Sequence, residues 1–278
     1  MTSFTKPGLP DVARVGEIIR AVAADEILPR YEKLERHEIN EKHAGEIVTA
    51  ADIASEAKLI TALTDLLPGS VVVGEEGFSA DPTIIEHLSR DAPVWIIDPL
   101  DGTRNFSEGR PMFAVIVALA MKGETQAGWI YDPLADDLLW GVAGEGTWDR
   151  AGRVRLPKAK RSITTMRGSV PSRPRAALEE LGKAKGVPVP SDMVRLRCCG
   201  REYMELIRGN LDFALYGQLK AWDHAAGVLL HREAGGHSGR ADDAKIYRPG
   251  PMREGRYILA ADHDHWMVLR DLLAEALS

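Results

Sequence analysis

The twelve residues 95–106, with the sequence WIIDPLDGTRNF, constrain the fold more than any other stretch of the chain. The apolar run 94–97 predicts a buried strand, and the chain must turn at the proline that follows because proline has a fixed φ and no backbone N–H. Asp98 and Asp101 lie on either side of that turn, and Gly102 lets the backbone approach a ligand closely. Because carboxylates hold hard cations and free amides receive phosphate oxygens, the stretch suits a metal–phosphate site. A simple Asx-type turn, with the aspartates bonded to nearby amides, is the structural alternative.

Composition excludes several classes of protein. The 278 residues carry a net charge of −6, which argues against a general binder of nucleic acid or of anionic membranes. An anionic substrate remains compatible with this charge, since bound cations can reverse the local field. Residues 1–11 lack the apolar core of a secretion signal, and no apolar run approaches the roughly 20 residues that span a bilayer. Cys198 and Cys199 are neighbours and do not indicate a disulfide framework, so we expect a cytoplasmic protein.

The hydrophobic pattern predicts two tightly packed halves that meet near Gly152. The N-terminal half, 1–152, is α+β and carries most of the candidate metal ligands; the C-terminal half, 153–278, is α/β. Alternating strands and helices in the second half predict a sheet with helices on its faces. Predicted helices cover 11–28, 49–67, 173–185, 201–208, 222–234 and 263–277. Predicted strands cover 71–73, 94–97, 113–121, 126–131, 137–142, 162–169, 194–198, 211–216 and 257–260.

Three local patterns leave alternatives open. Residues 31–46 are mostly charged and indicate either an exposed connection or a mobile lid. Residues 150–167 carry seven Lys or Arg and no acid, which favours a solvated hairpin over a contact with a polyanion. In the helix 49–67, spacing predicts that Ile53 and Ala57 point inward, and Asp52 has the position of a capping-box residue.

Two further segments place acids where a ligand could bind. Glu75 and its neighbour follow a short apolar strand and lie beside glycine, which repeats the pattern at Asp98. Asp223 opens a predicted helix, where an acid also stabilises the helix macrodipole. Taken together, carboxylates from three separate segments predict a Mg²⁺ site, because Mg²⁺ prefers oxygen ligands and keeps waters for exchange with phosphate oxygens.

In this order the motifs resemble the inositol monophosphatase family of Mg²⁺-dependent, lithium-sensitive phosphatases. The resemblance extends from about Asp11 to the C-terminus, and it implies a layered αβαβα sandwich of the inositol monophosphatase and fructose-1,6-bisphosphatase type, commonly a homodimer. The matching stretches are VTAAD at 48–52, GEE at 74–76, DPLDGTRNF at 98–106, WDHAAG at 222–227 and EAGG at 233–236.

The resemblance also implies roles for individual residues. Two Mg²⁺ ions, or three with a loosely held ion near Glu75, would occupy the site. Asp98 would bridge the first two ions, and the amides of Gly102 and Thr103 would receive the phosphate. Asp52 would pair with the Thr103 hydroxyl and orient a metal-bound water, so the implied catalytic residues are Asp52, Thr103 and Glu75. The implied metal ligands are Glu75, Asp98, the carbonyl of Leu100, Asp101 and Asp223.

One departure from the family bears on the substrate. Tyr216 stands seven residues before Asp223, where inositol phosphatases carry a glutamate that contacts sugar hydroxyls, and residues 198–203 are larger or more charged than is usual. Arg201, Glu202 and Tyr216 are therefore our candidates for substrate selection.

We expect a small phosphorylated metabolite as the partner, first inositol-1-monophosphate or a similar sugar or polyol phosphate. Histidinol phosphate, a 3′-phosphorylated nucleotide and fructose-1,6-bisphosphate are alternatives within the same chemistry. A regulatory protein-binding role in the transcription or RNA machinery, as in some bacterial members of the family, is the alternative from another class. The basic residues 150–167 favour that alternative, whereas the complete set of acids disfavours a purely non-enzymatic role.

Overall fold

A computed structural model describes residues 8–43, 46–157 and 161–277. The helices of these residues are α1 (Val12–Val22), α2 (Ala50–Leu66), α3 (Glu75–Ala80), α4 (Thr103–Ser107), α5 (Ser172–Lys185), α6 (Cys199–Ile207), α7 (Ala221–Glu233) and α8 (His263–Ala276). Their strands are β1 (Ile39–His43), β2 (Glu46–Thr49), β3 (Val71–Gly74), β4 (Val94–Asp101), β5 (Ala114–Met121), β6 (Glu124–Asp132), β7 (Asp137–Val142), β8 (Gly146–Asp149), β9 (Gly152–Val154), β10 (Arg167–Ser169), β11 (Asp192–Val194), β12 (Phe213–Leu219), β13 (His237–Arg240) and β14 (Arg253–Ala260). No helix in these ranges is both long and apolar enough to cross a bilayer.

The first sheet contains β3 to β9 in chain order. Strand β3 runs parallel to β4, and every later pair is antiparallel. All eight residues of β4 are buried, which agrees with its unbroken apolar start and with cover on both faces of the sheet. The second sheet has the order β11–β10–β12–β14–β13, and β1 pairs with β2 in a separate hairpin.

The sequence predicted that the strand would end before the proline, but β4 continues past it. It continues to Asp101 through a register shift in which three steps, from Asp98 to Asp101, face two steps on β5, from Ile116 to Ala114. Such a bulge absorbs a residue that cannot pair in the ladder, and it redirects the side chains beside it. The proline therefore changes the aim of the two aspartates without terminating the strand.

Alternation along the strands defines five layers. On the first sheet, Trp95 and Ile97 face the layer of α1 and α2, whereas Ile96 faces the layer of α6 and α7. On the second sheet, Tyr216 faces α6 and α7, and Leu215 faces the outer layer of α5 and α8. This order of helices, sheet, helices, sheet and helices confirms the predicted αβαβα sandwich.

Helix α7 lies very close to its neighbours because glycines line the contact. A Cβ on Gly128 of β6 would stand 2.9 Å from the Cα of Ala226, and one on Gly227 would stand 2.1 Å from the ring of Tyr203 on α6. Substitution at either position would push the helix outward. This packing fixes the start of α7, and with it Asp223, above the end of β4.

Several local predictions differ from the structure. Helix α1 ends at Val22 and continues as a π-helical segment, Ala23–Ile27, rather than running to residue 28. Ile53 is 55% exposed and Ala57 is also exposed, so the prediction that these two residues of α2 point inward is wrong. The predicted strand 194–198 is instead β11, which ends at residue 194.

Both charged segments that the sequence left ambiguous contain regular secondary structure. Residues 39–43 of the segment 31–46 belong to the β1–β2 hairpin, rather than to a simple exposed connection, and residues 44–45 lie outside the described ranges. Within 150–167, residues 152–154 pair with β8 as a short hairpin, residues 163–165 form a 3₁₀ turn, and residues 167–169 form β10. Residues 158–160 of this segment also lie outside the described ranges.

Candidate active site

A cavity of about 750 Å³ opens beside the bulge of β4. Three of its acidic lining residues are Glu75 at the start of α3, Asp101 at the end of β4 and Asp223 in the first turn of α7. Asp98 lies behind them and is only 2% exposed. The structure thus brings the four carboxylates singled out from the sequence to one place, from three segments that are far apart in the chain.

Glu56, which the sequence analysis missed, fixes the segment that carries Glu75. Its carboxylate is buried on α2 and accepts the backbone N–H groups of Glu76 at 2.9 Å and Gly77 at 2.7 Å. A Cβ on Gly74 would stand 2.4 Å from this carboxylate, so the close approach requires glycine. The i, i+4 spacing of Asp52 and Glu56 on one helix face was the available signal for this polar inner surface.

Asp101 is oriented by the start of α6. Its Oδ2 accepts the backbone N–H of Gly200 at 2.5 Å and lies 3.1 Å from the thiol sulfur of Cys198. The next residue, Gly102, has a φ of +88°, and a Cβ there would stand 2.7 Å from the carbonyl oxygen of Met112. Glycine is therefore required where β4 passes into α4, and Gly102 and Thr103 both line the cavity.

The Thr103 hydroxyl links α4 to α2. It lies 2.9 Å from Oδ1 of Asp52 and 3.0 Å from the carbonyl oxygen of Leu100, and its single proton can be donated to only one of them at a time. The other oxygen of Asp52, Oδ2, accepts the backbone N–H of Thr49 at 2.8 Å and closes a capping box. Asp52 therefore caps α2 and contacts Thr103 with different oxygens.

Burial and mutual repulsion raise the pKa values of the clustered acids. The pKa of Asp98 lies well above its usual range because the side chain is buried and because Glu75, Asp101 and Asp223 are negative neighbours. Burial raises the pKa of Asp101 to about 6 and that of Asp52 to about 6. Such a cluster is costly to ionise without a cation.

This donor set fits Mg²⁺. Mg²⁺ binds carboxylate and carbonyl oxygens and is often held by few protein ligands together with waters. The cluster offers four carboxylates and the Leu100 carbonyl, and bound cations would remove the repulsion that raises the pKa values. The cavity in front of these groups leaves space for waters and a phosphate.

Lys42 is a second residue that the sequence analysis missed. It lies on β1, its side chain is only 9% exposed, and its ammonium contacts Glu76 and lies 3.5 Å from Oε1 of Glu75. Burial raises the pKa of Glu76 to about 7, even though the hydrogen bond from Lys42 opposes that shift. A single lysine within a charged run carries no periodic signal, so only the fold reveals that it reaches the acid cluster.

The residues predicted to select the substrate separate into two groups. Tyr216 and Glu202 line the cavity, and Glu202 is buried, with its Oε1 accepting the Ser169 hydroxyl at 2.5 Å. Arg201 does not line the cavity, since its guanidinium pairs with Asp132 and faces away. The geometry therefore does not support Arg201 as a substrate contact. Glu202 both lines the cavity and accepts a hydrogen bond from Ser169 within the protein.

Comparison with known proteins gives consistent matches. The model of the Inositol monophosphatase family matches residues 10–277. A relative from Haemophilus influenzae, named Nus factor SuhB, is 32% identical over 246 residues, which cover 86% of each chain. The inositol-1-monophosphatase of Caulobacter vibrioides is 32% identical over 248 residues, covering 85% of this chain and 91% of its own. A solved IMPase from Thermotoga maritima has the same fold, with a TM-score of 0.78 at 21% identity, over 94% of this chain and 96% of its own.

Proposed function

The chain belongs to the inositol monophosphatase family, a family of phosphatases, and on that premise we propose that it is a Mg²⁺-dependent phosphomonoesterase. The observation that carries the proposal is the convergence of Glu75, Asp98, Asp101 and Asp223 on one cavity. A scaffold without catalysis has no physical reason to bring together four acids that repel one another, two of which, Asp98 and Asp101, are buried.

The ligand set is proposed as follows. Glu75, Asp98 and the Leu100 carbonyl would hold one Mg²⁺, and Asp98, Asp101 and Asp223 would hold a second, with Glu75 also serving a third ion where one binds. When bound, the ions supply Lewis acidity that activates water and stabilises the leaving alkoxide.

The protein groups around the ions orient the reaction. The backbone amides of Gly102 and Thr103 receive oxygens of the scissile phosphate. The Thr103 hydroxyl, hydrogen-bonded to Asp52 at 2.9 Å, orients the attacking water. It accepts a proton from that water and donates its own proton to the carboxylate of Asp52. The raised pKa of Asp52, about 6, suits proton transfer near neutral pH. Hydrolysis in this scheme needs no covalent phospho-enzyme, because water attacks phosphorus in line with the leaving oxygen.

The proposed substrate is a small phosphorylated metabolite, first inositol-1-monophosphate or a similar sugar or polyol phosphate. The named activity of the Caulobacter vibrioides relative supports this choice. Histidinol phosphate, a 3′-phosphorylated nucleotide and fructose-1,6-bisphosphate follow, since Tyr216 replaces the glutamate expected for sugar hydroxyls.

Phosphate release from a panel of these esters tests the proposal. We expect hydrolysis that requires Mg²⁺ and is inhibited by Li⁺. Asp98→Asn serves as the inactive reference, and Asp264→Asn on the exposed start of α8 serves as the control substitution. Hydrolysis that survives in Asp98→Asn, or that persists in a metal chelator, would contradict the proposal.

A role in the transcription machinery is the second candidate function. The Haemophilus influenzae relative named Nus factor SuhB, at 32% identity, favours it, together with the basic residues 150–167. Capture of transcription complexes by wild-type protein and by Asp98→Asn separates the two functions. Equal capture by both proteins would assign a regulatory role that does not depend on catalysis.

We also propose a cytoplasmic homodimer. Cys198 and Cys199 are free thiols, which agrees with a reducing compartment, and the dimer is the usual state of the family that the sequence resembles. Light scattering coupled to size-exclusion chromatography measures the mass in solution directly. A monomeric mass at micromolar concentration would contradict the dimer.

A further inference from the structure

Two arginines on one loop line the candidate active site without any assigned role. Arg195 and Arg197 lie between β11 and α6, both are exposed, and both form part of the cavity wall. We call these two residues the arginine rim. Within the described ranges, neither guanidinium makes an ion pair or a hydrogen bond with the protein. Two cations on the wall of a cavity are therefore available to a ligand.

The loop that carries the arginine rim is held rigidly. The side-chain amide of Asn105, itself 2% exposed, donates to the carbonyl oxygens of Leu196 at 3.0 Å and of Arg197 at 3.3 Å. On the other side, the backbone N–H of Leu196 donates to the buried carboxylate of Glu202 at 3.3 Å. Arg197 has a φ of +59°, a left-handed conformation that is uncommon for residues other than glycine and that these buried contacts hold in place.

The scissile phosphate does not account for these cations. In the proposed function, Mg²⁺ and the amides of Gly102 and Thr103 already bind that group. The cavity, at about 750 Å³, is large enough for a whole metabolite rather than one phosphate. Arg104 and Lys220 also line this cavity, and each has an interaction of its own within the protein. The uncharged hydroxyls of a polyol give the arginine rim no charge to pair with.

We propose that the arginine rim binds a second anionic group on the substrate, either a phosphate or a carboxylate. The preferred substrate is then a small phosphomonoester with two separate anionic ends, one at the metal ligands and one at the rim. A guanidinium offers a planar pair of N–H donors that matches the oxygens of carboxylate or phosphate, which explains arginine at both positions. The inference rests on the proposed function and narrows its substrate class.

Matched pairs of esters test the arginine rim. The phosphate pair is fructose 1,6-bisphosphate against fructose 1-phosphate, and the carboxylate pair is 2-phosphoglycerate against glycerol 2-phosphate. For at least one pair we expect wild-type kcat/KM to be about tenfold or more higher for the ester with the second anion, since charge-assisted hydrogen bonds are the strong ones. The pair with the larger ratio identifies the second group as phosphate or carboxylate.

Substitution of the rim then locates the effect. Arg195→Gln and Arg197→Gln should each raise KM for the doubly anionic ester by roughly tenfold. The same variants should change kcat/KM for the singly anionic ester by less than about twofold, because those contacts are absent there. Arg195→Lys keeps the charge but loses the planar donor pair and should give an intermediate KM. Arg14→Gln, on the exposed face of α1, is the control and should change neither ester.

The outcomes distinguish this inference from the proposed function. Equal kcat/KM within both pairs, or rim variants that affect both members of a pair equally, would overturn the second-anion site while leaving the phosphatase intact. If no ester is hydrolysed, the proposed function fails. Calorimetric titration with fructose 1,6-bisphosphate then tests, without any need for hydrolysis, whether the arginine rim binds an anionic group. Binding that Arg195→Gln weakens would support the site, and binding that is absent or unchanged would overturn it.

Discussion

The Thr103 hydroxyl lies 2.9 Å from Oδ1 of Asp52, a residue 51 positions earlier in the chain. From the sequence, Asp52 had two interpretations: the spacing predicted a helix cap, and the family resemblance implied a partner for the Thr103 hydroxyl. The structure satisfies both, because Oδ2 accepts the N–H of Thr49 while Oδ1 remains for Thr103. The Thr49 amide can therefore hold the buried carboxylate of Asp52 in one orientation, while its other oxygen contacts the Thr103 hydroxyl.

Asp98→Asn should abolish turnover and yet stabilise the metal-free protein. The amide can still accept the N–H of Leu100, now 3.1 Å from Oδ1, so the bulge is retained. Removal of one buried charge from the acid cluster should raise the free energy of unfolding in a chelator by about 1 kcal/mol or more. Turnover should fall by at least about 100-fold, because a proposed ligand to both ions is lost.

Urea unfolding in a chelator and phosphate release in Mg²⁺ measure these two effects of Asp98→Asn. Asp264→Asn, whose side chain is almost fully exposed, is the matched control and should change neither quantity. Near-normal turnover would refute the bridging role of Asp98. A destabilised metal-free protein would refute the electrostatic account of the cluster.

Asp223→Asn should weaken one Mg²⁺ site and leave the other nearly intact. Asp223 belongs to the proposed second site alone, whereas Asp98 belongs to both. Calorimetric titration with Mg²⁺ should therefore show one of two binding events weakened by about tenfold or more. A titration identical to that of the wild type would remove Asp223 from the ligand set.

Stabilisation of the fold by Mg²⁺ should increase from pH 5 to pH 7.5. Burial raises the folded-state pKa of Asp52 and Asp101 to about 6 and of Glu76 to about 7, above their unfolded values. The metal-free folded protein then holds more protons than the unfolded chain, so these groups lower its stability as pH rises. For Asp52 alone the whole loss is roughly 3 kcal/mol, and roughly 1.4 kcal/mol of it falls between pH 5 and pH 7.5. Bound Mg²⁺ offsets it by favouring the ionised acids.

The difference between unfolding free energies in Mg²⁺ and in a chelator isolates this effect. Burial lowers the pKa of His224 to about 4 and of His231 to about 3, and these groups make stability rise with pH in the same interval. His231 does not line the cavity, so its contribution is the same with and without metal and cancels in the difference. His224 lines the cavity beside Asp223, where a bound cation disfavours its charged form further and therefore adds to the expected increase of Mg²⁺ stabilisation with pH. A Mg²⁺ stabilisation that is equal at pH 5 and pH 7.5 would contradict the raised acid pKa values.

Lys42→Met should destabilise the protein mainly when no metal is bound. The ammonium is the nearby counter-charge for Glu75 and Glu76, and loss of a hydrogen-bonded charge pair of this kind costs about 1–3 kcal/mol. Saturating Mg²⁺ supplies positive charge to the same cluster, so the loss in unfolding free energy should be smaller there. Lys58→Met breaks the pairs of an exposed lysine with Asp25 and Glu26, and it should cause the same small loss with and without Mg²⁺. An equal loss for Lys42→Met in both conditions would rule out its link to the metal site.

The sequence predicted the acid cluster because each acid stands in a local motif, either at a strand end or at a helix start. The inner face of α2 was missed for the opposite reason. Ile53 and Ala57 are exposed, whereas Asp52 and Glu56 are buried because segments far along the chain supply hydrogen-bond partners for them. Hydrophobic periodicity reports the burial of apolar side chains, so it does not reveal polar groups that find their partners only in the fold.

The rotation of a helix about its own axis was a second property that the sequence did not predict. Arg201 and Glu202 are adjacent on α6, so their side chains point about 100° apart, and only one of them can face the cavity. The sequence proposed both. Packing of α6 against α7 turns Glu202 inward and leaves Arg201 to pair with Asp132. Arg195, on a loop without periodicity, gave no signal at all.

Tyr216→Phe should change the choice among esters without disturbing the fold. The Tyr216 ring is stacked on Tyr203 at 5.8 Å and meets His224 edge-on at 4.6 Å, and phenylalanine can keep both contacts. The Tyr216 side chain lines the cavity and its hydroxyl is buried in the wall, so loss of that hydroxyl should alter the wall and lower kcat/KM for inositol 1-phosphate by about three- to tenfold. Hydrolysis of 4-nitrophenyl phosphate, whose leaving group has no aliphatic hydroxyls, should change by less than about twofold. Tyr257→Phe is the matched control, because it deletes a buried hydroxyl that is bonded to Ser238 outside this cavity. Equal effects of Tyr216→Phe on both esters would exclude Tyr216 from substrate selection.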